Sequence, residues 1–257
     1  MRSSGSLRRI CFARFCLAFF FASVLSCAAM AQTQIALPVE LIKTLDSSRL
    51  KAGDRVLART MQSVVLPQGS VLPKATILEG RVIGDRAFHY DSAPYAAQTP
   101  ATLSIHFDDL QASAGKLPVQ AALRALAGAT DVNSASRRQY HDEYDRQGEL
   151  QLIGGEQVSP WDGKIRSMDG RVVGYERKDG NHARLIGSAL AQNADCTATQ
   201  NEEAIGVFSA DACGLYGLDQ MVLRSAGGAQ EAIVLQDESG DVRLPRGSAV
   251  LLMVEFK

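Results

Sequence analysis

Two stretches of alternating hydrophobicity, separated by a polar and glycine-rich interval, constrain this chain most. Leu103, Ile105 and Phe107 alternate with Ser104 and His106, which marks a strand with one buried face. Ile77, Glu79, Arg81 and Ile83 fall on one side of a second such run, with Leu78, Gly80 and Val82 on the other. Arg55–Thr60 follows a Gly53-Asp54 turn signal, and Val64-Val65-Leu66 is stopped by Pro67-Gln68-Gly69. Residues 116–127 fit either period: Val119, Ala121, Leu123 and Ala125 alternate, while the Ala and Leu content suits a helix. After residue 190 the β pattern returns. Residues 204–208 and 230–236 are apolar runs, and Ala249–Val254 is long enough for a core strand.

Short strands broken by Gly and Pro predict an all-β fold, a single barrel-like or sandwich domain built from residues 37–127 and 190–257. Pro67, Pro73 and Pro118 have no N–H for a ladder, so they belong at edges, strand starts or turns. Between the two stretches, residues 133–181 are charged and carry Gly154-Gly155, Asp162-Gly163, Asp169-Gly170 and Asp179-Gly180 in quick succession. So few apolar residues predict a long flexible insertion over 128–189, with one hairpin at 170–176 and the first sites of proteolysis.

The N-terminus bounds the compartment. Arg2, Arg8, Arg9 and Arg14 precede an apolar run from Phe15 to Leu25, and small residues end in Ala29-Met30-Ala31. That order is a secretory signal peptide over 1–31, cleaved between Ala31 and Gln32. The run is shorter than the roughly 20 apolar residues a membrane span needs. A second processing site is Val24-Leu25-Ser26-Cys27, which resembles a lipobox; lipidation of Cys27 would tether an outer-membrane lipoprotein. The expected location is the periplasm or cell envelope, with envelope proteins as partners and membrane contact only through Cys27.

Residues 1–31 hold four arginines and no acid, so the remainder has 23 basic against 28 acidic residues. That balance is not the electrostatic footprint of a nucleic-acid binder. Past residue 31 only Cys196 and Cys213 remain, and an oxidising compartment predicts one disulfide between them.

Val64-Val65-Leu66-Pro67-Gln68-Gly69-Ser70 matches Val242-Arg243-Leu244-Pro245-Arg246-Gly247-Ser248 at five of seven positions, which predicts two similar corners. These corners carry a resemblance. Leu45-Asp46-Ser47 through Gly53-Asp54, then Val65 to Gly80, resemble the opening of the TrbI/VirB10-type C-terminal β-barrel. Leu103–Phe107 with Gly115-Lys116-Leu117-Pro118-Val119 resemble its next strand and turn, and Val242–Gly247 its closing strand pair. The resemblance covers about two thirds of the chain after residue 31. It implies a barrel and a scaffold role in a type IV secretion machine. The chain differs from that family in having a signal in place of a cytoplasmic tail and membrane helix, and in lacking a Pro-rich linker and an apolar antenna segment.

Residues with chemical potential are scattered. Asp211-Ala212-Cys213-Gly214 echoes cysteine peptidoglycan peptidases, but His89, His106, His141 and His182 all precede Cys213, the reverse of that order, and a disulfide would remove the nucleophile. The four histidines lack zinc-site spacing; His106 with Asp108 and Asp109 reads as a surface imidazole beside a turn. Asp142, Glu143 and Asp145 lack calcium-loop spacing. Ser209 lacks a nucleophile elbow, and no glycine-rich phosphate loop or cofactor motif is present. Trp161, the single tryptophan, reads as a loop anchor or a binding hot spot. The expected function is a non-enzymatic envelope binding or scaffold module, part of a secretion or envelope assembly. The alternatives are a cell-wall or glycan-acting enzyme and a lipid-anchored surface lipoprotein.

Overall fold

A computed structural model describes residues 34–90, 98–112, 115–140, 148–189, 193–225 and 232–256. Residues 1–31, expected to be a signal and including Cys27 and Ala31, lie outside them, as do Gln32, His141, Asp142, Glu143 and Asp145.

The first half runs β1 (Ile35–Leu41), β2 (Leu45–Asp46), β3 (Arg55–Thr60), β4 (Val64–Val65), β5 (Val71–Leu72), β6 (Ile77–Arg86), β7 (Ala101–Ala112) and β8 (Gly115–Ala127), then helix α1 (Ala129–Ala135). The middle holds β9 (Arg138–Gln139), β10 (Glu149–Gln151), β11 (Gln157–Val158), β12 (Lys164–Arg166), β13 (Val172–Arg177), β14 (Gly180–Arg184) and β15 (Glu202–Ala204). The end holds β16 (Gly214–Tyr216), β17 (Met221–Ser225), β18 (Ile233–Asp237), β19 (Arg243–Leu244) and β20 (Ala249–Phe256).

Strands β8, β20, β1, β3, β6 and β7 pair in that order, and β7 returns to β8, closing a six-stranded antiparallel barrel. The two separated stretches therefore share one interior. β20 from the C-terminal end lies between β1 and β8, and β18 pairs with β7. Leu37, Val39, Val56, Leu78, Leu103, Phe107, Leu252 and Val254 fill this core, each on the inward face of its strand. The cavity among Leu41, Phe107, Leu126 and Val250 has a volume of about 10 Å³ open to a water-sized sphere, no more than a single water needs. At six strands a barrel is filled by its own side chains, so this one is a packed core and not a ligand cage.

The ambiguous run at 116–127 is strand. Its period breaks at one residue: Leu252 pairs with Leu123 and Leu251 with Ala125, so Arg124 is an extra residue bulged out of β8. Before it, Val119, Ala121 and Leu123 face the barrel interior; after it Leu126 does, and Ala125 and Ala127 face outward.

Outside the barrel lies a second sheet in the order β15-β14-β13-β12-β11-β10-β9. This corrects the expectation of a flexible insertion over 128–189. The turn signals there connect short paired strands, and the expected hairpin at 170–176 becomes the β12–β13 hairpin within the larger sheet. Each strand contributes only one or two buried residues, chiefly Val158, Ile165, Ala183 and Leu185. They do not need to form a core alone, because the barrel offers a second apolar face. Ala36, Ala125, Ala127, Ala249, Leu251 and Met253 form it, and they cluster with the sheet residues and with Phe208. Alanines on that face let two sheets approach closely. β20 is consequently buried on both sides over its first six residues, which explains an unbroken apolar run in place of alternation.

The two echoing corners share a turn but not a partner. Gly69 and Gly247 both adopt left-handed φ, +85° and +88°. β4 pairs with β5 just beyond its own turn, whereas β19 pairs with β2 from the distant N-terminal part.

Candidate functional site

Three arrangements stand out. The first is built on the bulge. Arg124 is fully buried, and its guanidinium donates to the carbonyls of Thr197 (2.6 Å), Ile186 (2.6 Å) and Ala210 (3.2 Å). Burial pulls its pKa below the usual value, opposed by the nearby charges of Asp195 and Asp211. The loops it grips are those joined by the Cys196–Cys213 disulfide, with Cα atoms 5.8 Å apart. The Asp195 N–H bonds the Leu123 carbonyl at 2.7 Å, pinning the same loop to the strand beside the bulge. This is a structural clamp. The bonded Cys213 has no thiolate to offer, so the peptidase echo has no nucleophile.

One carboxyl is buried and another half-buried with the second sheet. Glu156, in the turn between β10 and β11, accepts the Ala210 N–H at 2.8 Å, and its other oxygen has no partner. Burial pushes its pKa up to about 7, with Asp211 adding repulsion. Glu203 on β15 accepts the Ala36 N–H of β1 at 3.2 Å, and burial again raises it to about 7. Raised carboxyls suit acid–base chemistry. Glu156, however, is 2 % exposed and faces a backbone amide and not a groove. Ser209 is wholly buried, its hydroxyl accepting the Glu156 N–H at 3.1 Å, so it is no exposed nucleophile.

The second arrangement is a polar groove of about 610 Å³ where the barrel meets the second sheet, lined by Gln62, Lys74, Lys178, Asp179, Asn181 and Gly206 among others. Its floor is a closed set of hydrogen bonds. Gln62 Nε2 donates to the Asn181 carbonyl (2.9 Å), the Gly206 N–H donates to Gln62 Oε1 (3.0 Å), and Asn181 Nδ2 donates to the Gly206 carbonyl (2.8 Å). His182 Nε2 lies 3.2 Å from Asp179 Oδ2 behind it. Gly180 has φ +134°, and a Cβ there would sit 2.4 Å from Gln62 Oε1, so only glycine lets the floor close.

The third is Trp161, which is 81 % exposed and anchors nothing. Its loop is held firmly. The Ser159 N–H bonds the Lys164 carbonyl (2.9 Å), Gly163 N–H the Ser159 carbonyl (3.1 Å), and Lys164 N–H the Asp162 carboxylate (3.1 Å). Lys164 bonds hold the Asp162 carboxyl well below the usual range, and Pro160 restricts the backbone just before the indole.

The other sequence candidates do not converge. His106 lies inside β7 and not beside a turn, its Nε2 3.6 Å from Asp108 Oδ1, which Arg81 already binds at 2.6 Å. His89 sits in an isolated bridge with Thr99. Among the described residues no group of three His, Cys, Asp or Glu could hold a metal ion. Arg124, Gln62 and Asn181 were missed by sequence reasoning. Arg124 did leave a signal, as the one charge within Ala121–Ala127. The amides leave none, because the partners of Gln62 are more than 100 residues away along the chain and that of Asn181 is 25 residues away in another loop.

No family model, curated protein or solved structure matches the chain.

Proposed function

We propose that this protein is an exported, non-enzymatic binding module of the bacterial cell envelope, with Trp161 as its principal anchor for a protein partner. The observation that carries this reading is an indole 81 % exposed on a loop whose backbone is already fixed. Tryptophan is enriched among residues that dominate interface energetics. A loop ordered before binding loses little further entropy when a partner closes over it. The packed barrel is a rigid mount for such a loop. Export rests on the signal residues 1–31, and a place in an envelope assembly on the resemblance of Leu45–Gly80, Leu103–Val119 and Val242–Gly247 to the TrbI/VirB10-type barrel.

The test is site-specific photocrosslinking in the cells that make the protein, with a photoreactive residue at Trp161 or at exposed Lys51. The expected outcome is one adduct of defined mass, formed from position 161 in the envelope fraction and absent from position 51. Equal labelling from both positions, or a protein found only in the cytoplasm with residues 1–31 still attached, overturns the reading.

A further inference from the structure

We propose that the polar groove between the barrel and the second sheet binds a small multivalent anion, carrying carboxylate or phosphate groups. The inference stands apart from the role of Trp161. A groove of about 610 Å³ falls within the size range of small-ligand sites. Its charges are unevenly matched. Glu176 is bound by Arg138 at 2.8 Å, Arg177 by Glu202, and Asp179 by His182 at 3.2 Å. Arg138 therefore neutralises Glu176, and Asp179 is the one lining carboxylate without a lysine or arginine partner among the described residues. Lys74 and Lys178 also line the groove, and neither has an acidic partner among the described residues.

Two unmatched ammonium groups, set against the single carboxylate of Asp179 above a neutral amide floor, leave a local positive excess on a chain whose net charge is −1. The floor is also preorganised. Gln62 is 3 % exposed and bonded through both its Nε2 and its Oε1, and Asn181 is 7 % exposed and bonded through its Nδ2 and its backbone carbonyl. Ligand binding would not have to order these groups first. Lysine ammoniums recognise carboxylate or phosphate as compact point charges, without the fixed geometry of a guanidinium fork. The site therefore favours charge over ligand shape. Because its walls come from Met61–Lys74 on the barrel side and Glu176–Asn181 on the sheet side, a bound anion would fasten one layer to the other.

The test titrates the purified protein with inorganic pyrophosphate and, separately, with citrate, by calorimetry at low ionic strength and by amide NMR. The proposal expects saturable one-to-one binding of at least one probe, with the largest shifts at Ser63, Gly180 and Gly206. Lys74→Ala/Lys178→Ala weakens it by at least about tenfold, equivalent to about 1.4 kcal/mol. Lys43→Ala/Lys116→Ala, which removes two lysines elsewhere, leaves it unchanged. Binding of pyrophosphate alone assigns a phosphate ligand, and of citrate alone a carboxylate ligand; either supports the site. Absence of saturable binding of both probes to wild type overturns it. So does equal weakening in the two double variants, or shifts clustered away from those three amides, a readout that does not depend on any variant folding.

Discussion

β20 and β13 are both inner strands of antiparallel sheets in one folded body, yet they carry opposite apolar loads. β20 buries six consecutive residues, because the barrel interior lies on one side and the second sheet on the other. β13 buries Gly174 alone, and Val172, Tyr175, Glu176 and Arg177 face solvent. A strand can thus hold its place with almost no hydrophobic surface of its own, provided its sheet rests on a face that another unit has already organised. The apolar burden of the second sheet is borne by the alanine-rich back of the barrel and by Phe208, and its polar burden by clamps such as Arg124.

If that division is right, the largest effect comes from removing the clamp. Arg124→Ala leaves the buried Ala210 carbonyl and the part-buried Thr197 and Ile186 carbonyls short of a donor and opens a cavity behind the disulfide. We expect a loss of about 3–5 kcal/mol in urea unfolding. A loss below about 1 kcal/mol would show that the second layer does not depend on the bulge. A smaller effect is expected at the shared face. Ala125 is fully buried between β20 and β16, and Ala125→Leu should overpack the junction by about 1–3 kcal/mol. The same change at Ala198, an exposed position, should be close to neutral.

The smallest effect is electrostatic. Glu156 and Glu203 have folded-state pKa values of about 7, above the ordinary 4.5. The folded state therefore holds their protons more tightly. Their contribution is fully present below about pH 4.5 and is lost as pH rises through 7. After discounting for solvent screening, the two together should cost about 1–3 kcal/mol between pH 5 and pH 8. The urea midpoint should fall over that interval and fall less in Glu156→Gln/Glu203→Gln. The lowered carboxyls, such as Asp46 and Asp85, titrate below the window and do not mask it. A midpoint that rises toward pH 8 would refute the assignment.

The barrel was legible because its strands alternate: Leu103-Ser104-Ile105-His106-Phe107 states which face is buried without reference to any partner. The second sheet was not, because its strands are two to six residues long and Val158, Ile165 and Ala183 become meaningful only against Ala36, Ala125 and Ala249. Such burial is a property of the pair of layers, and a local reading of composition sees only charge and glycine. The Cys196–Cys213 disulfide was legible from cysteine count and from the oxidising compartment expected of residues 1–31. The groove was not, since Gln62 meets Asn181 across a separation of 119 residues. Trp161 was found, but its exposure depends on turn geometry that its neighbours do not announce.

The central claim is that residues 148–185 fold as a layer on the barrel, and amide hydrogen exchange tests it most directly. We predict that Val158, Ile165, Ala183 and Leu185 exchange at least about a thousandfold more slowly than unstructured peptide, alongside Leu37, Leu103 and Leu252 of the barrel. Free-chain exchange rates at those four amides, with the barrel amides still protected, would contradict the account.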